Sequence, residues 1–487
     1  MNGPGTPEQS SWPGGRAESY LRQRADEELA EAISLAQVQA AADHRATTAK
    51  SCMARTAALA GVLASVGAIP ETAAVSVLDG LGTALVQRDL LPASGLDIEP
   101  RTPGPSGQPD TVRAFPTGVA VECEIDGFGF PFRVRFGALV TDGQSARITF
   151  RAAYTDPRLT GPEAWRQGPD PWVAFRGVTA ADDLGGQYEA GLGVAHGGFS
   201  HGESGEGTSF RWAGWSWLDP APPEEARWLA VTLAGRAPVR IEMDRARQPA
   251  VTAVALDPAG AADRYLDARS VTLLTSDPEH PGRSRSADVV TMAADLLGAG
   301  VLQPASPSLA RLAAVAARQG VALPGLLAAI PPAPMPADWA SVRDRAGRGA
   351  SGVVFAAAVL PEVEGVRCVI TELASRPDVT TLRVFAPAWP VIEHGAGLMH
   401  GMPQHDDRYH WHVRDDLGHR YAVTACLGAG STAGAEFPLR LHPPVSAQAR
   451  ELEITLSGRT VQGSVRVPLD WQDDVWGSDE PDWRAEP

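Results

Sequence analysis

The chain writes one short phrase twice, and the spacing between the two copies constrains its fold more than any other feature. Asp182-Asp183-Leu184-Gly185-Gly186-Gln187-Tyr188 returns as Asp415-Asp416-Leu417-Gly418-His419-Arg420-Tyr421. Each copy leads to a second shared phrase. Ala226-Arg227-Trp228-Leu229-Ala230-Val231-Thr232-Leu233-Ala234-Gly235 is matched by Ala449-Arg450-Glu451-Leu452-Glu453-Ile454-Thr455-Leu456-Ser457-Gly458. An Asp-Asp-x-Gly turn ahead of alternating apolar residues reads as the entry to a strand or hairpin. The carboxylates have a structural use there, capping backbone N–H groups of the turn. The spacing of a calcium loop is absent.

The match extends well beyond the turns. Ala262-Asp263-Arg264-Tyr265-Leu266 echoes Ala17-Glu18-Ser19-Tyr20-Leu21, Gly300-Val301-Leu302 echoes Gly67-Ala68-Ile69, and Gly352-Val353 echoes Gly118-Val119. From Gly67 to the Asp-Asp turn the offset stays at 233 or 234 residues; it is 245 at the first helix and 223 at the last strands. One offset held through helices, linker and strands implies tandem duplication of a unit of roughly 230 residues, each copy with its own core.

Within each unit the hydrophobic period changes once. Leu21, Ala25, Leu29, Ile33 and Ala36 recur every three or four residues, as on a buried helix face. Pro70 stands where the first turn of a third helix begins, and Val75, Leu78, Leu81 and Leu85 give that helix its stripe. From Gly118 the period is two, with Val119, Val121 and Cys123 alternating with Ala120, Glu122 and Glu124, and Val134 and Phe136 with Arg133 and Arg135. The expected fold class is α+β: a tandem duplication of a small helical bundle followed by an immunoglobulin-like antiparallel β-sandwich, without the Cys…Trp…Cys spacing of true immunoglobulin domains. The boundaries are a lead-in over 1–15, helical bundle 16–91, Pro/Gly-rich linker 92–117 and sandwich 118–245. They continue with bundle 261–330, linker 331–350, sandwich 351–469 and an acidic, Trp-containing tail 470–487.

Composition removes several chemistries. Lys50 is the one lysine among 42 Lys and Arg residues, and no Gly-rich loop precedes it, which argues against Walker-type phosphate binding, Schiff-base and Ser-Lys mechanisms. A formal charge of −16 opposes nucleic acid and anionic membrane. Cys52, Cys123, Cys368 and Cys426 are scattered with no metal spacing, and no apolar stretch is long enough to span a bilayer. A cytoplasmic setting is expected.

Three places could carry function. His394, His400, His405, His410, His412 and His419, six of the 11 histidines, crowd one stretch of the second copy together with Asp406 and Asp407. On a strand His410 and His412 share a face, as two zinc ligands do, and His405 or Asp406 would complete the set from the preceding loop. The structural alternative is histidine on a half-buried strand. On another strand, Trp215 and Trp217 read as core positions, aligned with one residue of slack to Leu439 and Leu441, whereas Trp212, opposite Glu436, reads as exposed. The tail sets Trp471, Trp476 and Trp483 among acidic residues, the chemistry of a segment that docks on a protein partner. The leading expectation is a non-catalytic interaction or regulatory protein with no cofactor. The alternative is a metal- or small-ligand-binding protein, or a hydrolase, using the histidine stretch.

Overall fold

The computed structural model describes residues 14–38, 42–91, 112–123, 132–141, 146–159, 178–201, 208–233, 238–243, 251–274, 283–340, 342, 349–386, 409–425, 429–431 and 434–473. It combines helices with antiparallel β-sheets, a mixed α+β fold. Among the described residues no helix is long and apolar enough to cross a membrane.

The helices form where the 3.6-residue stripe predicts them. Helices α1 (Gly14–Val38), α2 (Ala42–Ser65) and α3 (Glu71–Gln87) lie in the first half. In the second half come α4 (Pro258–Leu274), α5 (Arg283–Gly298), α6 (Pro307–Gln319) and the single turn α7 (Ala337–Ala340). Pro70 is the N-cap of α3, whose buried face is Ala74, Val77, Leu81 and Leu85; of the expected stripe Leu81 and Leu85 are buried and Val75 and Leu78 only partly so. Helix α6 opens on Ser306 and Pro307 and closes on Gly320, whose left-handed backbone (φ 66°) turns its N–H back onto Ala316 and Ala317.

The two helical segments do not keep separate cores, contrary to the expectation from the duplication. Leu21, Leu63 and Leu85 of the first share one apolar cluster with Leu266, Leu296, Leu312 and Trp339 of the second. The weld is local and specific. Tyr20 on α1 donates its hydroxyl to Asp295 on α5 at 2.8 Å, and Arg24 stands 3.4 Å from the same carboxylate. The Tyr20 ring lies so close to Gly298 that an added Cβ would sit 2.7 Å from it. The fraction of surface buried on folding rises with size, so pooling the two segments enlarges the core each helix shares in.

The first sheet holds β1 (Arg113–Pro116), β2 (Ala120–Cys123), β3 (Phe132–Thr141), β4 (Ala146–Asp156), β5 (Thr179–Asp182), β6 (Gln187–His201), β7 (Thr208–Asp219), β8 (Trp228–Thr232) and β9 (Val239–Glu242). Their order is β1-β3-β4-β7-β6-β5-β8-β9, with β2 also on β3. The second sheet begins with β10 (Val251–Ala255), β11 (Gly352–Val359), β12 (Val369–Ser375), β13 (Thr380–Ala386) and β14 (His410–Asp415). It is completed by β15 (Arg420–Ala425), β16 (Ala429–Ser431), β17 (Gly434–His442), β18 (Glu451–Ser457) and β19 (Val461–Pro468). Read from the opposite edge, its order is β11-β12-β13-β17-β15-β14-β18-β19-β10, with β16 also on β17.

Each sheet is one continuous ladder curled on itself, a half-barrel rather than the two-layered sandwich expected. The curl has a visible cause. Register shifts interrupt the pairing at Phe136/Leu139 on β3, Leu192/Ala195 on β6, Phe355/Ala358 on β11 and Ile370/Glu372 on β12. Bulges of this kind bend a strand and increase its twist without breaking the sheet. In the second half-barrel Val353 of β11 and Gln472, just past β19, exchange backbone hydrogen bonds of 2.8 and 2.9 Å, drawing the ends of the curl together. Its interior is filled by Leu373, Leu382, Leu439, Ile454 and Val465.

The outer faces of the half-barrels meet, so strands read as half-exposed are covered on both sides. Arg147, Thr149 and Arg151, which alternate with the inward Ile148 and Phe150 on β4, are all buried. Arg151 pairs with Glu372 on β12, both 2% exposed, and Arg383 on β13 lies 3.4 Å from Glu372 and 3.0 Å from Glu436. The Arg147 guanidinium is clasped between the rings of Trp215, at 4.7 Å, and Phe385, at 4.4 Å. Val112, Ala114, Ala138 and Val140 pack on Val369 and Phe385 beside this charged patch.

Candidate functional site

The site to which the sequence points is the start of β14. Pairing with β18 sets His410 opposite Ser457 and His412 opposite Thr455, so the two imidazoles share a face. That face is turned to the helices and is buried, His410 at 7% and His412 at 8% exposure. The Tyr265 ring of α4 meets His410 edge-on at 4.7 Å. Arg420 of the neighbouring β15 donates to Nδ1 of His412 at 2.8 Å. An arginine only donates, so that nitrogen carries a lone pair and the hydrogen of the neutral ring sits on Nε2. This Nε2 has no hydrogen-bond partner among the described residues.

The surroundings are cationic. Burial pushes the His410 pKa down to about 3, aided by the charge of Arg269. His412 is held well below the usual histidine range by burial, then by Arg420 and Arg264 and by His410 itself. Arg420 also faces the Trp339 ring at 5.3 Å, and Arg311 of α6 faces it at 5.8 Å. Arg311 in turn forms two 2.8 Å hydrogen bonds with Asp267 of α4. Burial raises the pKa of Asp267, opposed by its bonds to Arg311. This chain of contacts ties α4, α6 and α7 to the β14–β15 hairpin.

Two neutral imidazoles can in principle ligate a metal, and the structure brings His410 and His412 together as the zinc reading requires. One nitrogen of His412 is already engaged by Arg420, however, and arginines flank both rings, a poor field for a dication. His405 and Asp406 lie outside the described residues. Among the described residues no group of three or more His, Cys, Asp or Glu side chains is placed to hold a metal ion.

The repeated Asp-Asp turns have a complete structural account. Asp182 Oδ1 accepts from the N–H groups of Leu184 and Gly186 at 2.9 and 2.7 Å, and its other oxygen accepts from the Tyr188 hydroxyl. Asp415 does the same for Leu417 and His419 at 3.1 and 2.7 Å and for Tyr421 at 2.6 Å. The second aspartate of each turn reaches across to the second shared phrase. Asp183 accepts from Arg227 N–H at 2.9 Å, and Asp416 from Arg450 N–H at 2.9 Å. The phrases differ at two positions, Gly186 against His419 and Gln187 against Arg420. His419 adds a 2.9 Å contact from Nδ1 to Asp415, where the first turn has Gly186, whose Cβ would meet the Tyr188 hydroxyl at 2.5 Å.

The tryptophans reverse the sequence reading in two of three cases. Trp212, expected on the surface, is 5% exposed and stacks on Phe210 at 6.1 Å inside the first half-barrel. Trp217, expected in the core, is 44% exposed, while Trp215 is buried beneath Arg147. A one-residue slack in alignment is the cause, because it moves every side chain of a strand to the other face. β4 and β13 set Gly214 against Phe150 and Phe437 against Val384, an offset of 223, and that offset puts Trp215 and Trp217 on the outer face with Pro438 and Arg440.

Of the tail tryptophans, Trp471 is partly buried and packs on the core of the second half-barrel. Trp476 and Trp483 lie outside the described residues. Missing from the sequence reading were Arg147, Arg151, Glu372 and Arg383. Their alternation with apolar neighbours matches that of solvent-facing residues, and no local signal sets them apart.

No family model matches this sequence, and no curated protein matches it. Among solved structures the chain has a match to the crystal structure of the conserved domain protein from Bacillus anthracis, at 9% identity over 70% of this chain and 77% of that one. The TM-score of 0.18 is too low to carry an argument about fold or function.

Proposed function

We propose that this chain is a non-catalytic interaction or regulatory protein, built by duplication of one helix-plus-sheet unit and acting on a protein partner. One observation carries the reading: among the described residues, the aspartates of the repeated turns and the two strand histidines that the sequence offers for chemistry are engaged in the fold. Asp182, Asp183, Asp415 and Asp416 cap turns and bridge to the next strand, and His410 and His412 are sealed beneath α4. The duplication is supported by the matching strand orders and by the backbone N–H bonds that the two Asp-Asp turns share. A cytoplasmic setting accords with Cys52 and Cys368, both buried as free thiols.

The partner contact is assigned to the acidic tryptophan segment beyond the second half-barrel. Trp471 and Gln472 belong partly to the fold, so the informative truncation ends the chain after Asp473 and keeps the Val353–Gln472 bridge. Affinity capture from the native host, with the full chain and the truncated chain compared, should lose one abundant partner on truncation, and Trp476→Ala with Trp483→Ala should reproduce the loss. Equal recovery by all three proteins would remove the tail from the interaction. Stoichiometric zinc in protein purified without chelator, lost in His410→Ala with His412→Ala, would instead support the metal-binding alternative.

A further inference from the structure

We propose that β10 is a self-pairing edge through which two copies of this chain associate. A free sheet edge presents unpaired backbone N–H and C=O groups, and proteins blunt such edges with charge, proline, bulges or cover. The other sheet ends here are managed in these ways. Strand β9 carries exposed Arg240 and Glu242, which pair with each other at 2.6 Å. Strand β11 is bonded to Gln472, and β1 and β2 divide the edge of β3 between them, with Val112 and Ala114 packed toward the second half-barrel.

Among the described residues, strand β10 has none of these protections. It reads Val251-Thr252-Ala253-Val254-Ala255, without charge or proline, in unbroken register with β19. All five residues are exposed, Val251 at 53% and Val254 at 45%. Val251, Ala253 and Ala255 stand opposite Val465, Gly463 and Val461, of which Val465 and Gly463 are buried. The apolar inner row of the half-barrel therefore continues past β19 into solvent.

The chemistry of the strand selects a second copy of itself as the occupant. A two-fold axis through Ala253 sets Ala253 against its mate, Thr252 against Val254, and Val251 against Ala255. An isologous contact places like residues near each other, so on a chain of net charge −16 most surfaces repel their own copies. This strand carries no charge to repel. A five-residue strand buries less than the roughly 1,200–2,000 Å² of a standard stable interface, so the dimer is weak and dependent on concentration.

Sedimentation velocity of the full chain across a concentration series tests this. The expected result is a monomer–dimer equilibrium whose dissociation constant rises at least tenfold in Ala253→Lys, which puts two ammonium groups at the axis. Ala253 is exposed, so the melting temperature should be unchanged. Should that variant be unstable, Ala253→Cys decides: directly opposed residues of an antiparallel pair lie about 4.5–5.5 Å apart, within disulfide reach. Oxidation should give a covalent dimer for Ala253→Cys and far less for Thr252→Cys. A monomer throughout with no cross-link, a dimer indifferent to Ala253→Lys, or a monomer that takes up an unrelated uncharged extended peptide at β10 would each overturn the proposal.

Discussion

Asp183 accepts a hydrogen bond from the backbone N–H of Arg227 at 2.9 Å, and Asp416 does the same from Arg450 at the same distance. This one contact explains why two phrases more than thirty residues apart recur together in both halves of the sequence. The turn and the strand entry it touches are a single hydrogen-bonded assembly, so a change in one is felt in the other. The first aspartate organises the turn itself, and the second fixes the turn to β8 in one half-barrel and to β18 in the other.

The buried member of each pair should matter to stability. Asp182→Ala and Asp415→Ala each strand two backbone N–H groups and a tyrosine hydroxyl, at a cost of about 2 kcal/mol. Urea unfolding at neutral pH would register this as a lower midpoint in both variants. A midpoint equal to that of the unmodified chain would mean that water replaces these bonds without loss.

Acid should destabilise the fold before most carboxylates titrate. The folded-state pKa values of His410 and His412 lie below the unfolded value of 6.5, near 3 for His410 and well below 6.5 for His412. Their contribution is therefore complete above pH 6.5 and falls as pH drops from 6.5 toward 3. Each histidine contributes a slope of up to about 1.4 kcal/mol per pH unit once its unfolded form is protonated. Unfolding midpoints measured between pH 7 and pH 5 should decline, and His410→Phe should flatten the decline. An unchanged slope in that variant would show that the ring is hydrated in solution.

The contact between half-barrels rests on a buried ion pair. Glu372→Gln leaves Arg151 buried beside a neutral group and should cost about 3–5 kcal/mol, made worse by Arg383, a second cation within reach of the same carboxylate that keeps only Glu436. Replacing both partners, Arg151→Met with Glu372→Met, should recover much of that loss, because two apolar chains of similar volume need no desolvation. A double variant no more stable than the single one would mean that the charges also fix the alignment of the two sheets.

The order of elements was legible in the sequence, whereas their pairing across distance was not. Period-three and period-two runs located α1, α3, β3, β14 and β18, because burial on one face imposes a local pattern. The curl of the sheets comes from bulges, which add one residue without changing composition, and so the half-barrels resembled sandwiches. Arg147 and Arg151 alternate with Ile148 and Phe150 as surface residues do, and what covers them lies more than two hundred positions away. His410 and His412 could be assigned to one face from spacing alone. That the face looks at Tyr265, not at solvent, follows only from the docking of α4, while Arg420 reaches His412 from the neighbouring β15. Trp212 and Trp217 show how a single position of slack exchanges inside and outside.

The joined helical core gives the sharpest test of how the two halves depend on each other. Tyr20 and Asp295 belong to different halves, and their 2.8 Å bond sits directly over Gly298. Gly298→Ala would drive a methyl group to 2.7 Å from the Tyr20 ring, so α1 must shift away from α5 or the ring must leave its place. Overpacking of this kind costs about 1–3 kcal/mol, more than the stabilisation alanine brings over glycine in a helix. Tyr20→Ala in the same chain removes the clash, so the two substitutions should cost less together than the sum of their separate effects. A double-mutant cycle by urea unfolding measures that coupling. Strict additivity would mean that α1 and α5 are not held against each other in solution, and the shared core would then fail as the link between the halves.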